Sequence, residues 1–588
     1  MIRDEDTVVD GFAIDNLDYT INNNINIMQK KLFLLLPAAA LLLASCSSKM
    51  GALSADNFSV TPNPLETQAG EVPVTISGMF PEKYMKKKAV VTVTPELRYT
   101  VDGKKQATKG EGATFQGESV QGNNQTISYR VGGRYTMKTN FKYVPEMQKS
   151  DLYLTFFARV GGKYKWIPPV KVAPGVIATS ELYKRTLESA KPALALDGFQ
   201  RISEQKQEAN VKFLIGQAQL RKSELQNNSV QEFVRLLNEI VKDQEGKVLD
   251  GVEISAYASP DGGYDVNERL AGKRQDVTTD YVKQQMKKAK AEGSVETKYT
   301  AEDWEGFQEL VAASDIQDKD VILRVLSMYK DPEEREEQIR SLSSAFRELA
   351  DGILPQLRRA RMTINYQLVG RSDDQIKQQY KDDAKQLSVE EMLYAATLYN
   401  DLPEQAEQIY KKTSEIYPTD ARAFNNIAVM EFAKGNYNEA ETWLQNALSV
   451  NKNLPEAYAN LGMLSLQLGN TTQAEEYISK ATDANGLAEV LGNLHLAQGK
   501  YTQAEQDFDK VFSNSAALAQ ILNKNYSQAA VTLKYVDNPD ATTDYLRAIL
   551  SARTGNLSDA AQALGAATAK DPKYAAYAAK DLELSKIK

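Results

Sequence analysis

The stretch ASPDGGYDVNERLAGKR, residues 258–274, reads as a tight polar loop running into a helix. Asp261 sits in its Pro-Asp-Gly turn, a strong turn sequence, and Asn267 and Arg274 follow on the helix. A carboxylate, an amide and a guanidinium at such spacing are equipment for recognising a charged ligand. Elsewhere chemistry is sparse. The single histidine, His495, would have to carry any imidazole-based zinc site or hydrolytic triad alone. Cys46, the single cysteine, excludes internal disulfides and thiolate clusters. Asp303 and Glu305 flank Trp304 as a glycosidase pair would, but TAEDWEG reads better as a helix start, with Thr300 as N-cap and the acids in the first turn. The expectation is a protein that is not an enzyme and needs no metal or cofactor.

The 588 residues allow several domains, and 25% charged with 42% apolar residues is ordinary globular composition. A net charge of −8 with no concentrated basic face argues against a nucleic-acid partner.

The run MQKKLFLLLPAAALLLASC starts at Met28 with Lys30 and Lys31, continues through an apolar stretch and ends at Cys46. That stretch is too short to span a bilayer and suits a secretory signal peptide. Its end, L-A-S-C, resembles a bacterial lipobox, which implies that Cys46 is lipidated after removal of residues 28–45. Residues 1–27 are acidic and Asn-rich, unlike a signal, and read as an extension upstream of the true start. The resemblance is to Bacteroidota lipoproteins. The residues after Cys46, from 46 to 56, form a tether without an acidic tract, which favours the periplasmic face of the outer membrane over the cell surface.

Residues 57–176 alternate β-branched and aromatic residues between Gly, Pro, Asn and Asp clusters, the texture of a β-sandwich of immunoglobulin-like type. Its Tyr and Phe residues and Trp166 are expected in the core or on a sheet face rather than as a carbohydrate platform. Residues 177–204 read as a linker. From 205 to 370 the pattern is β-α-β-α-β: VQEFVRLLNEIV has helical apolar spacing, VEISAYA alternates, a second helix follows, and after a long helical insertion ARMTINYQLV supplies a third strand.

This α/β segment resembles the C-terminal peptidoglycan-binding domain of the OmpA family, whose pattern is G-H-T-D-x-x-G followed by N-x-x-L-S-x-x-R-A-x-x-V. Gly262, Asn267, Leu270 and Arg274 fall at matching spacings, and Thr278 stands at the closing valine position. The resemblance implies that an aspartate takes the ammonium of a diaminopimelate side chain while the arginine forks onto its carboxylate. Here the acid position is Ser259. A neutral bond in place of a charge-assisted one would cost roughly 1–2 kcal/mol. Asp261, two residues on, is the candidate replacement. Otherwise SPDG is only a turn, and Arg274 pairs with Asp276 or Asp265.

After a linker at 371–387, residues 388–588 are Ala-rich and self-similar. AFNNIAVMEFAKGNYNEAETWLQNALSVN aligns with AYANLGMLSLQLGNTTQAEEYISKATDAN at an offset of 34, the tetratricopeptide period, and about five units fit. Such arrays stack into a superhelix whose concave groove binds a protein or peptide. Asn426 and Asn460 are aligned, and with Asn493 they are candidate groove residues suited to an extended peptide backbone. The combined expectation is a lipid-anchored envelope adaptor with a protein partner in its repeats and peptidoglycan as a further ligand. The alternative is a surface assembly or adhesion component, fimbria-like, in which the OmpA-like part is only a scaffold.

Overall fold

The computed structural model describes residues 50–316, 318–341 and 347–587. The chain divides into two compact units. One holds the chain up to Leu194 together with Glu431–Gln445 and Asn453–Lys588; the other holds Ala195–Met430 and Asn446–Lys452.

In the first unit, strands Phe58–Thr61, Glu71–Phe80 and Gly133–Lys142 form one antiparallel sheet. A second, six-stranded sheet runs Lys163–Pro174, Asp151–Val160, Ala89–Val101, Ala113–Gly117, Gln125–Ile127, with Lys104–Lys109 paired to Ala89–Val101. Strict alternation along Glu71–Phe80 turns Val72, Val74, Ile76 and Phe80 inward. They share one core with Val91, Val93, Leu97, Phe141, Leu152 and Leu154 from the neighbouring strands. Phe157, Tyr164 and Trp166 instead stand on an outer face, 60–78% exposed.

The repeats of this unit are antiparallel helix pairs: Pro455–Gln467 with Thr471–Ile478, Leu487–Ala497 with Tyr501–Asp507, Asn514–Leu522 with Tyr526–Lys534, and Ala541–Arg553 with Leu557–Lys570. Glycine is required where two of these pairs cross. A Cβ at Gly462 would fall 2.4 Å from the Ile478 side chain, and one at Gly492 would fall 2.5 Å from the Phe508 ring. A last helix, Lys573–Ala578, closes the series. The β-rich part and the repeats are tied together, Gln68 Nε2 donating to the Gly499 carbonyl at 3.0 Å and Thr179 Oγ1 to Glu583 at 2.8 Å.

The second unit is built on a four-stranded sheet in the order Ile202–Lys212, Arg359–Val369, Lys247–Tyr257, Ser294–Thr300. The first two pairings are antiparallel and the last is parallel. Helix Asn228–Lys242, capped by Asn227, lays Val230, Phe233, Leu237 and Ile240 on this sheet. Helix Tyr264–Ala289 makes the crossover between the parallel strands. Ser294–Thr300 corrects the three-strand count: it is the third strand, and ARMTINYQLV lies in the fourth. An exposed, polar edge strand needs no apolar alternation, so it left no period in the sequence. The insertion folds as helices Trp304–Ala312, Lys319–Met328, Pro332–Ser341 and Leu354–Leu357 around Phe307, Val311, Ile322, Leu326 and Leu357. Its first N-cap is Asp303, which accepts from Gly306 N, and not Thr300, which ends the preceding strand. Helix Asp373–Asp383 then leads to the helix pair Val389–Thr397 and Pro403–Ile416.

Candidate functional site

The loop at 258–263 leaves the end of strand Lys247–Tyr257 and enters helix Tyr264–Ala289. Asn267, in the first turn, is buried and donates through Nδ2 to the Ser259 carbonyl at 3.0 Å and the Gly262 carbonyl at 2.7 Å, pinning the loop. Gly262 approaches the same amide closely, since a Cβ there would lie 3.2 Å from Asn267 Oδ1. Two turns on, Arg274 is 1% exposed. Its guanidinium donates to three main-chain carbonyls: Tyr257 at 2.8 Å, Gln217 at 3.1 Å and Leu214 at 3.5 Å. It also lies over the Phe213 ring, 5.2 Å from the centroid. Burial, with Arg358 nearby, lowers its pKa to about 10, and Asp261 opposes the shift.

Asp261 meets a different arginine. Its Oδ2 accepts from Arg358 Nη2 at 3.0 Å, and Oδ1 accepts from the Ser259 hydroxyl. Ser259 Oγ in turn accepts from Arg358 Nε at 3.2 Å. Arg340, from the insertion, donates to the Asp261 carbonyl at 2.9 Å. The cavity beside Pro260 and Asp261, walled by Trp304, Phe307 and Leu354, measures only about 10 Å³, barely one water. Ser259, Asp261, Gly262 and Asn267 are thus brought together, Arg274 turns its donors to the main chain, and neither Asp265 nor Asp276 pairs with it. The sequence marks Arg358 only by the arginine-rich RRAR run opening the last strand, and Arg340, in the insertion, by nothing local. Asp303 holds its helix start and pairs with Arg359 at 3.0 Å, while Glu305 lies exposed in the first turn of that helix.

The repeat asparagines face main chain. In the first unit Asn460 is buried; its Oδ1 accepts from Ala193 N at 2.6 Å and its Nδ2 donates to the Ala193 carbonyl at 2.8 Å. Asn485 Nδ2 donates to the Leu194 carbonyl at 2.9 Å, and Asn514 Nδ2 to Ser189 Oγ at 3.1 Å. In the second unit Asn426 holds Ala195 in the same two-bond fashion, both at 2.9 Å. Glu390 accepts from Arg422 at 2.7 Å and from Gly198 N at closer range. The position that would read a peptide's backbone reads this chain's own. Asn493, also buried, donates to the Glu489 carbonyl at 2.8 Å, and its Oδ1 has no hydrogen-bond partner among the described residues. His495, on the same helix, contacts the Asp507 carboxylate.

Cys46 and the signal segment lie outside the described residues. Among the described residues no helix is long and apolar enough to cross a membrane, and no group of three or more His, Cys, Asp or Glu side chains is placed to hold a metal.

Fold and repeats together define a multidomain protein with a β-rich N-terminal part and a tetratricopeptide-type α-solenoid. The profile of the coatomer epsilon subunit family matches residues 375–516, about a quarter of the chain. No curated protein matches. Among solved structures, a tetratricopeptide repeat protein from Parabacteroides merdae is similar at 16% identity and a TM-score of 0.26, over 40% of this chain and 93% of that one. PilF of Pseudomonas aeruginosa is similar at 18% identity and 0.26, over 33% and 97%. YrrB, described as a tetratricopeptide protein with an unusual peptide-binding site, is similar at 19% identity and 0.20, over 36% and 100%. The helix-pair assignment rests on the helices themselves.

Proposed function

We propose that this chain is a non-enzymatic scaffold of the bacterial envelope, anchored by a lipid on Cys46 to the periplasmic face of the outer membrane. In this reading an immunoglobulin-like β module and the repeats present a surface to a protein partner. The OmpA-like module serves as structure and no longer holds the cell wall. One observation carries the last point: the acid of the loop is paired with Arg358, and Arg274, itself buried, donates to three main-chain carbonyls. A zwitterionic ligand would have to displace both sets of bonds, each partly or wholly desolvated, before gaining its own.

Co-sedimentation of the full chain with diaminopimelate-type sacculi tests this. The expected result is no retention above that of an unrelated lipoprotein. Saturable retention, abolished by Asp261→Asn, would restore peptidoglycan as a ligand. Fractionation of cells carrying Cys46→Ser, with protease shaving of intact cells, reads the anchor and the membrane face separately.

A further inference from the structure

Within the first unit, a cleft of about 770 Å³ opens between the β-rich part, the helical turns at 178–185 and the last helix of the repeats. That volume is in the range of ligand sites. Its walls are apolar: Leu182, Pro145, Ala178 and Ala576, with the rings of Tyr143 and Tyr577. Arg185 fixes the Tyr577 wall, donating to its hydroxyl at 2.6 Å while lying over its ring at 5.0 Å.

Charge on the rim is one-sided. Lys142, Lys573 and Lys580 line the opening, are exposed, and have no carboxylate within ion-pair distance among the described residues. Lys184 is 3.6 Å from Glu181, the only acid of the lining. Unmatched cations around apolar walls ask for two things at once: carboxylates and apolar surface.

We infer that this cleft docks an acidic peptide segment of a partner protein, its carboxylates over Lys142, Lys573 and Lys580 and an apolar side chain between Tyr143 and Tyr577. A free inorganic anion would leave the walls unused, and a fatty acid would bring a single carboxylate to three lysines. Asn426 and Asn460 already hold this chain's own backbone, so an added peptide needs another surface, and this cleft offers an apolar one. The inference rests on the scaffold reading above.

The test is fluorescence anisotropy of the full chain with a labelled peptide of alternating Glu and Leu. The comparison peptides replace Glu by Lys, or Leu by Gly. The acidic apolar peptide alone is expected to bind saturably, and the Lys573→Glu, Lys580→Glu double variant to weaken it about tenfold or more, most strongly at low salt. The equal charge change at Lys163 and Lys165, on a distant hairpin, is expected to leave binding unchanged. Absence of saturable binding, equal binding of the Lys peptide, or equal loss in both double variants overturns the proposal. Competition by phosphatidylglycerol vesicles with the same lysine dependence overturns it in favour of a lipid surface. Sacculus retention and cell fractionation read the scaffold proposal independently, so either can fail without the other.

Discussion

Asp261 is joined to Arg358, 3.0 Å away and 97 residues further along the chain, while Arg274 thirteen residues ahead makes no bond to it. Both partners are largely withdrawn from water, with side chains 17% and 11% exposed. Removing one leaves the other desolvated without its counter-charge. Asp261→Ala and Arg358→Ala are each expected to cost roughly 2–4 kcal/mol in urea unfolding, and the double variant less than their sum by roughly 1–3 kcal/mol. Additive single costs would mean that the pair does not act as a unit.

Arg274 is predicted to be a structural residue. Arg274→Ala takes the guanidinium from the carbonyls of Tyr257, Gln217 and Leu214, of which Leu214 keeps the bond from Gln217 N at 3.0 Å, and a loss of about 3 kcal/mol is expected in the same assay. Arg274→Lys should recover little, because one ammonium on a flexible stem does not reproduce a planar fork aimed at several acceptors. An Arg274→Ala protein as stable as the parent would free the arginine for a ligand.

Asn460 and Asn426 each satisfy both polar groups of one buried residue, Ala193 and Ala195. Replacing either by Ala removes two hydrogen bonds to that buried main chain, and should destabilise by about 1–3 kcal/mol. Amide exchange at Ala193 is expected to accelerate in Asn460→Ala and at Ala195 in Asn426→Ala. Unchanged exchange would show that packing alone holds the segment.

Glu489 gives the repeats a pH dependence. Burial pushes its carboxyl up to about 7, against hydrogen bonds from Ser513 and Asn493 and the charge of Lys191. An unfolded glutamate titrates near 4.5, so between about 4.5 and 7 the folded chain holds a proton that the unfolded chain has lost. Stability therefore falls as pH rises through that window, and the penalty is complete above it. Asp581, raised by burial to about 6, adds the same sign at lower pH. Glu489→Gln should gain on the order of 1–3 kcal/mol over the parent at pH 8 and almost nothing at pH 4. A difference that does not change with pH would rule out this assignment.

Alternation along EVPVTISGMF determined a strand and its buried face, because one side of the sheet meets a core. Repetition at 34 residues determined the helix pairs, with small residues where helices cross. The turn at Pro260–Gly262 and the helix behind it were equally local. Local pattern was silent on Ser294–Thr300, whose exposed edge position demands no periodicity. Tertiary structure alone decided where polar groups find partners. Arg358 reaches Asp261 only because the last strand begins beside the loop, and Arg274 is spent on carbonyls that a sequence pattern cannot place. Asn426 and Asn460 stood out by their repeat phase, but that their occupant is the Ala193–Ala195 backbone depends on the path of the chain. Apolar burial follows composition over a few residues, whereas a hydrogen bond or ion pair is a pairwise choice among distant groups. The fold therefore belongs largely to the sequence, and the site to the folded molecule.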